Sequence, residues 1–271
     1  DEAANWIKTG CADLSLVIAD EQTAGRGRGG RRWFTPPGSA LAFSVVLRVE
    51  EQIKGMLDLQ NTTRLNGLGA LAVCLALQNI YSLPAKIKWP NDILVNGKKL
   101  AGVLTESDWV GNELSAVVIG IGINVATESV PLAGWDADNP HPYPATSVES
   151  QVNRPVNRWE LLNEVLDELI IWRDQLSSPT FTQTWQDNLA FLGEWVQIIF
   201  PGSKTTEKMG QITGLEVDGT LKITEQSGKL THLQFGEIKP SASLFGEFHL
   251  RPIDSQEKST KLAVETKKSI R

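Results

Sequence analysis

Cysteine and histidine are scarce in this 271-residue chain, which has only Cys11 and Cys74, with His141, His232 and His249 well apart. Two thiols, the second inside an apolar run, exclude a disulfide framework or a Cys-built metal site, and scattered imidazoles give no zinc cluster. A reducing compartment follows as the expectation. Long apolar runs are missing too. None reaches the ~20 residues that a bilayer-spanning helix needs, and Asp1 to Lys8 is polar and helix-like rather than a signal peptide, so a soluble cytoplasmic protein is expected. Positive charge is not in excess either. With 26 Lys and Arg against 32 Asp and Glu the net charge is −6, which argues against a whole-molecule footprint for nucleic acid or an anionic membrane. Any basic site must be local. What remains, 41% hydrophobic and 21% charged residues, is the composition of an ordinary folded protein of about two domains.

Asp1 to Thr9 reads as a helix closed by Gly10, and Leu14 to Ala19 as a buried strand. Asp20 to Ser39 is a glycine-rich cationic loop, followed by a strand over Ala40 to Val49 whose odd positions are apolar. Thr62 to Ile80 carries Leu65, Leu68, Leu71, Ala72, Leu75 and Ile80 at helical spacing, with Cys74 packed inside. Lys86 to Leu104 reads as strand, Pro-containing bend and hairpin around Asn96-Gly97, and Leu114 to Val125 as a further strand. After a loop over Pro131 to Pro155, an amphipathic helix spans Arg158 to Leu176 with Trp159, Leu162, Leu166, Leu169 and Trp172 on its apolar side, and Thr180 to Leu189 is a second helix. From Gly193 the texture changes to short strands at 195–200, 210–217, 221–225 and 230–235 with Asp218-Gly219 as a hairpin turn, the pattern of a small β-barrel. The division expected is 1–190, 191–247 and a frayed tail over 248–271.

Two nucleotide motifs fail. Gly202-Ser-Lys-Thr205 lacks the earlier glycine of a P-loop and lies between strands, where it is a turn; Gly120-Ile-Gly-Ile-Asn-Val125 has valine where a dinucleotide fingerprint needs its last glycine. The loop Gly25-Arg-Gly-Arg-Gly-Gly-Arg-Arg-Trp33 has three readings. A bland surface loop leaves four arginines and a tryptophan unexplained, and an RGG-type RNA element belongs in a longer disordered tract. The favoured reading is an anion clamp, in which glycines let the backbone approach a ligand and arginines neutralise phosphate or carboxylate. Lys86 to Asp92 places a cation, an aromatic and a carboxylate at a proline bend. That is a capped turn on its own, but with Lys99 and Asn124 at other strand ends it becomes one wall of a pocket.

In order and spacing, Gln22-Thr-Ala-Gly-Arg-Gly-Arg-Gly-Gly-Arg-Arg-Trp33, Lys88-Trp-Pro-Asn-Asp92, Lys99-Leu-Ala-Gly-Val-Leu-Thr-Glu106 and Ile119-Gly-Ile-Gly-Ile-Asn124 resemble the biotin protein ligase family. The match extends to Ala145-Thr-Ser147 and the small C-terminal barrel. The resemblance implies an α+β fold: a mixed-sheet catalytic domain related to class II aminoacyl-tRNA synthetases, followed by an SH3-like barrel. It implies an enzyme that makes biotinyl-5′-AMP from biotin and ATP and passes biotin to one lysine of a biotin carboxyl carrier protein. Gln22 would bond the ureido ring, and Gly25 to Arg31 would form the biotin and adenylate loop, with Arg26 and Arg28 on carboxylate and phosphate. Trp33 would stack near the adenine, Asn91 and Asp92 would position ATP and its Mg²⁺, and Lys99 would bridge carboxylate and α-phosphate. Gly102, Gly120 and Gly122 would meet biotin through their backbones, and Asn124 would lie on the adenine side.

The family's Ser-Thr-Asn strand, which precedes the helix at which this chain opens, is absent, so a truncated sequence that binds biotin poorly is expected. No winged-helix segment precedes the catalytic region, and DNA binding is not supported. A homodimer through a sheet edge is compatible with the pattern. Because biotin's carboxylate is ionised at neutral pH, the first step needs cations rather than a general base. For the second, Asp92 or solvent are the candidate bases. The competing readings are a lipoate protein ligase and a biotin-sensing or nucleic-acid-binding protein without ligase activity.

Overall fold

A helix that is apolar over most of its surface must be largely buried, and Thr63–Tyr81 is such a helix: Leu65, Leu68, Leu71, Ala72 and Cys74 are inaccessible, while Leu75 and Ile80 are half-buried and the polar Asn79 is exposed. The computed structural model describes residues 2–49, 63–132, 143–200 and 208–241. The Gly202 to Thr205 turn and the tail expected over 248–271 lie outside them, as does part of the Pro131 to Pro155 loop.

Helix α1 (Glu2–Lys8) leads into β1 (Ser15–Ala19); β2 (Ala40–Arg48) follows the glycine loop, and α2 (Thr63–Tyr81) comes next. Strands β3 (Ala85–Lys88), β4 (Asp92–Val95), β5 (Lys98–Val110) and β6 (Glu113–Asn124) complete a sheet of order β1-β2-β6-β5-β4-β3. A mixed sheet was the expectation, but every ladder in it is antiparallel. Among the described residues parallel pairing is confined to isolated bridges, Ile87 to Leu189 and Lys99 to Ala145, and the links β3–β4, β4–β5 and β5–β6 are short turns, which can join only antiparallel strands.

Successive strand residues point to opposite faces, and this divides labour within the sheet. Val103 and Ile119 press on Gly69 of α2, while Gly102 and Gly122 lie opposite each other on the other face. One end of that face is roofed by α1, whose Ala3 and Ile7 pack on Val46, Ala116 and Val118. This explains why β2 is buried on both sides, where its odd-position pattern predicts only one apolar face.

Three expectations are corrected. The stretch 131–155 contains a helix, α3 (Val148–Val152), capped by the Ser147 hydroxyl. In α4 (Arg158–Asp174) the buried stripe runs through Leu161, Leu162, Val165 and Leu169, so Trp159, in the first turn, is 55% exposed. After α5 (Pro179–Asp187) the second sheet has five strands rather than four: β7 (Trp195–Ile199), β8 (Lys208–Leu215), β9 (Leu221–Glu225), β10 (Leu230–Leu233) and β11 (Glu237–Pro240), in the order β10-β9-β8-β7-β11. Pro240 hid β11 from the pattern, and proline is tolerated there because β11 is an edge. The Asp218-Gly219 turn of this sheet is fastened to the bend between β3 and β4 by Trp89, whose indole N–H donates to the Gly219 carbonyl at 3.0 Å.

Candidate active site

The glycine-arginine loop lies across the open face of the first sheet and, with α1 and the Lys88–Asp92 bend, encloses a cavity of about 860 Å³. Of the residues singled out in the sequence, Gln22, Arg26, Arg28, Arg31 and Trp33 reach its wall from the loop. Asn91, Asp92, Lys99, Gly102, Gly120 and Gly122 reach it from the sheet and bend. Gly25 and Asn124 do not line it. Gly25 is a structural joint: its carbonyl accepts from the Trp33 N–H at 2.9 Å, and a Cβ there would stand 2.4 Å from the Trp33 carbonyl oxygen. Asn124 donates its side-chain amide to the Thr146 carbonyl at 3.0 Å, which ties the end of β6 to the Ala145-Thr-Ser147 segment.

Charge is concentrated at the β4 and β5 end. Lys99 Nζ is 2.7 Å from Asp92 Oδ1, and Lys88 Nζ is 3.4 Å from Asp92 Oδ2 and equally 3.4 Å from Glu237 Oε1. Glu237 Oε2 also accepts from Arg31 at 2.9 Å, and Arg28 donates to the Asn91 side-chain oxygen at 2.9 Å. Asn91 is held in turn by Val103, donating to its carbonyl at 2.7 Å. Four cations thus face two carboxylates, Asp92 and Glu237, in a site where Lys88 and Lys99 are almost fully buried.

Burial is the main cause that lowers the Lys99 pKa from its ordinary value; Asp92 pulls the other way, and Lys88 and Arg31 add to the lowering. Burial likewise lowers the Arg28 pKa against the pull of Asp92 and Glu237. For Glu237 burial opposes ionisation but is outweighed by Lys88 and Arg31, so its carboxyl sits below the usual range. Such crowded, partly uncompensated cations are stabilised by an incoming anion. Two donors on the cavity wall, Arg31 Nε and Trp33 Nε1, are buried without hydrogen-bond partners; the Tyr143 hydroxyl, likewise unpaired, lies outside the wall, with its ring 5.0 Å from Lys88 Nζ.

The Trp33 ring rests on Gly102 and Gly122, with Lys99 Nζ 5.5 Å from its centroid. A Cβ on Gly122 would stand 2.4 Å from the indole, so only glycine lets the ring lie flat on the sheet. At the opposite end of the loop, Arg26 forms a two-pronged ion pair with Glu106 of β5, both contacts at 3.0 Å. Gln22 accepts from the Thr35 hydroxyl at 2.9 Å, which closes the base of the loop.

Sequence reasoning assigned no role to Lys88, Glu106, Tyr143 or Glu237. The first two stood in motifs already quoted, and their charge beside Asp92 or the arginines was a usable signal. Glu237 had none, since it belongs to the second sheet and reaches the site only through folding.

A helix-backed antiparallel sheet carrying a cation-rich cavity beneath a glycine-arginine loop defines a binding protein for a sizeable anionic ligand. Residues 4–124 match the profile of the Biotin/lipoate A/B protein ligase family. The biotin--[acetyl-CoA-carboxylase] ligase of Paracoccus denitrificans is 34% identical over 244 residues, 88% of this chain and 93% of that protein. The bifunctional ligase/repressor BirA of Bacillus spizizenii is 44% identical over 115 residues, 42% of this chain and 34% of its own length, so this chain matches about a third of that relative. Among solved structures, the biotin protein ligase from Aquifex aeolicus in complex with biotin and ATP has a TM-score of 0.70 and 27% identity, covering 88% of this chain and 94% of that one. The chain belongs to the biotin/lipoate A/B protein ligase family.

Proposed function

We propose that this chain is an ATP-dependent biotin protein ligase that makes biotinyl-5′-AMP and transfers biotin to a lysine of a biotin carboxyl carrier protein. The observation that carries this reading is the convergence of Lys99, Lys88, Arg28 and Arg31 on Asp92, Asn91 and Glu237 in one cavity. The likeness along nearly the whole length of the Paracoccus ligase favours biotin over lipoate.

In the first half-reaction a biotin carboxylate oxygen attacks the α-phosphorus of ATP, the bond to the β-phosphate oxygen breaks, and pyrophosphate leaves. Two anions must meet, so the protein's task is to neutralise and align them. Lys99, at the Asp92 end of the cavity beside Gly102, bridges carboxylate and α-phosphate. Arg28 and Arg31 take phosphate oxygens, exchanging Asn91 and Glu237 for the ligand. Gln22, whose oxygen is occupied by Thr35, offers its amide N–H to the ureido end of biotin, and Trp33 forms an apolar wall over Gly102 and Gly122. In the second half-reaction the carrier lysine's uncharged amine attacks the acyl carbon, the bond to the AMP oxygen breaks, and the amine's proton passes to solvent, both oxygens of Asp92 being engaged by Lys99 and Lys88.

The donor set suits a Mg²⁺ that arrives with the nucleotide. Among the described residues no group of three or more His, Cys, Asp or Glu is placed to hold a resident ion, and Asp92 is a single carboxylate of the kind Mg²⁺ combines with phosphates and water. When bound, the ion neutralises charge that builds on the phosphoryl oxygens. Residues 1–190 form the catalytic domain in this reading, related in architecture to class II aminoacyl-tRNA synthetases, and 191–247 an SH3-like barrel. No helix among the described residues is long and apolar enough to cross a membrane.

The test is transfer of radiolabelled biotin to a biotin carboxyl carrier protein, with ATP and Mg²⁺ each omitted in turn. Label that depends on both is the expected result. Lipoate-dependent pyrophosphate exchange in the absence of any biotin-dependent exchange would overturn it.

A further inference from the structure

Three arginines of the loop over the cavity reach partners beyond the loop, and these contacts differ in kind. Arg28 on Asn91 and Arg31 on Glu237 lie at the end where, in the reading above, phosphates arrive and pyrophosphate departs. Their partners therefore change during turnover. The third tether is Arg26 on Glu106, and it lies elsewhere. Glu106 pairs across β5 and β6 with Val118, whereas Gly102, beside Lys99, pairs with Gly122. Four strand residues separate Glu106 from Gly102 on the same face, about 13 Å along β5 at ~3.3 Å per residue. This pair is remote from the phosphate end of the cavity.

We propose that Glu106 is a positioning residue, whose grip on Arg26 keeps the first limb of the loop closed over the acyl-adenylate between loss of pyrophosphate and arrival of the carrier lysine. The proposal rests on the ligase reading. A mixed anhydride must be kept from water and from escape during that interval, which is when Arg28 and Arg31 have lost the polyphosphate they were holding. Both Nη atoms of Arg26 meet both oxygens of Glu106 at 3.0 Å, and this two-pronged geometry fixes direction as well as distance. At 53% and 45% exposed the pair adds little to global stability. A loop equilibrium needs no more than that, because a lid is set by small differences between open and closed.

The experiment uses the full chain and the variants Glu106→Ala, Glu106→Gln and Glu106→Asp. Each is loaded with biotin and ATP and treated with pyrophosphatase, and the release of biotinyl-5′-AMP is timed beside biotin-dependent pyrophosphate exchange. Glu106→Ala and Glu106→Gln should speed release about threefold to fivefold, the range an exposed pair supports, while exchange changes less than about twofold. Glu106→Asp should recover part of the retention. Added salt should speed release by a larger factor in the wild type than in Glu106→Ala, since the variant has lost one of the ion pairs that salt screens. Without ligands, trypsin should cut the arginine loop faster in Glu106→Ala. Wild-type release rates in Glu106→Ala and Glu106→Gln, or exchange that falls by the factor by which release rises, would overturn the clasp. A wild-type chain that forms no biotinyl-5′-AMP yet shows unchanged loop cleavage in Glu106→Ala would overturn the ligase reading and the clasp separately. Faster cleavage with no adenylate would overturn the ligase reading alone and keep Glu106 as the loop's tether.

Discussion

Lys99 carries the heaviest demand of any single side chain, because it has to be charged in a place that disfavours charge. Burial lowers its pKa, with Lys88 and Arg31 adding to that effect, and the 2.7 Å contact with Asp92 is what keeps the ammonium form populated. The sign of the pH effect follows. As pH rises through the lowered Lys99 value the cation is lost, so kcat/KM for biotin-dependent pyrophosphate exchange should fall on an alkaline limb beginning below the ordinary lysine value of about 10.4. Lys99→Arg should move that limb upward, and a limb that stays in place would remove Lys99 from the titration. Lys99→Met should lower the exchange rate by about 10²-fold or more, the scale of losing one preorganised charge in a closed site, while circular dichroism stays that of the wild type. Cys74 shows the contrasting case of a buried group without a task. Its thiol, pushed up to about 12 by burial despite Lys86, stays protonated, with Sγ 3.3 Å from the Ala85 carbonyl oxygen.

At the scale of elements, the loop and the two glycine-bearing strands fit as one unit. Gly122→Ala places a Cβ where the Trp33 indole lies, and a packed ring cannot yield as the end of a flexible chain would. The variant should lose about 1–3 kcal/mol of stability by thermal denaturation and raise the KM for biotin, with a shifted tryptophan fluorescence that reports the displaced ring. An unshifted spectrum would mean that Trp33 does not rest there. Arg28→Ala removes the tether to Asn91 and should let biotinyl-5′-AMP escape, measured as adenylate in solution per turnover; retention equal to the wild type would take Arg28 out of the loop's closure. These elements were legible in the sequence because their signals are local. Glycines and arginines spell out the loop in one run, Asn96-Gly97 announces the β4–β5 turn, and the spacing of Leu65, Leu68 and Leu71 announces α2. What was not legible depended on packing between distant parts. The apolar side of α4 turned toward Leu161 and Val165, β2 was buried on both faces once α1 had settled on it, and Pro240 concealed β11.

On the scale of the whole molecule, the second sheet grips the Lys88–Asp92 bend from two sides. Gly219 accepts from Trp89 at 3.0 Å, and Glu237 on β11 holds Lys88 and Arg31, so the distant sheet helps to set where the phosphate-facing cations stand. No local signal could have marked Glu237, because its partners are brought to it only by the docking of one sheet against the other. Glu237→Gln keeps the size of the side chain and removes its charge, which leaves Lys88 and Arg31 short of a counter-charge. Because Lys88 is buried, the loss should cost about 1–3 kcal/mol and also slow adenylation, although the residue belongs to the C-terminal sheet. The pH dependence separates charge from shape. Glu237 has a folded pKa below its unfolded value of about 4.3, so its contribution is present above that pH and is lost as pH falls through the lower folded value. The gap in Tm between wild type and Glu237→Gln should therefore be full near neutrality, where Glu237 is ionised in both states, and shrink as the solution is taken below about pH 4.3. A gap that persists unchanged into acid would mean that Glu237 acts by packing rather than by charge, and that its shape, not its ion pairs, joins the hydrogen bond from Trp89 to Gly219 in holding the bend to the second sheet.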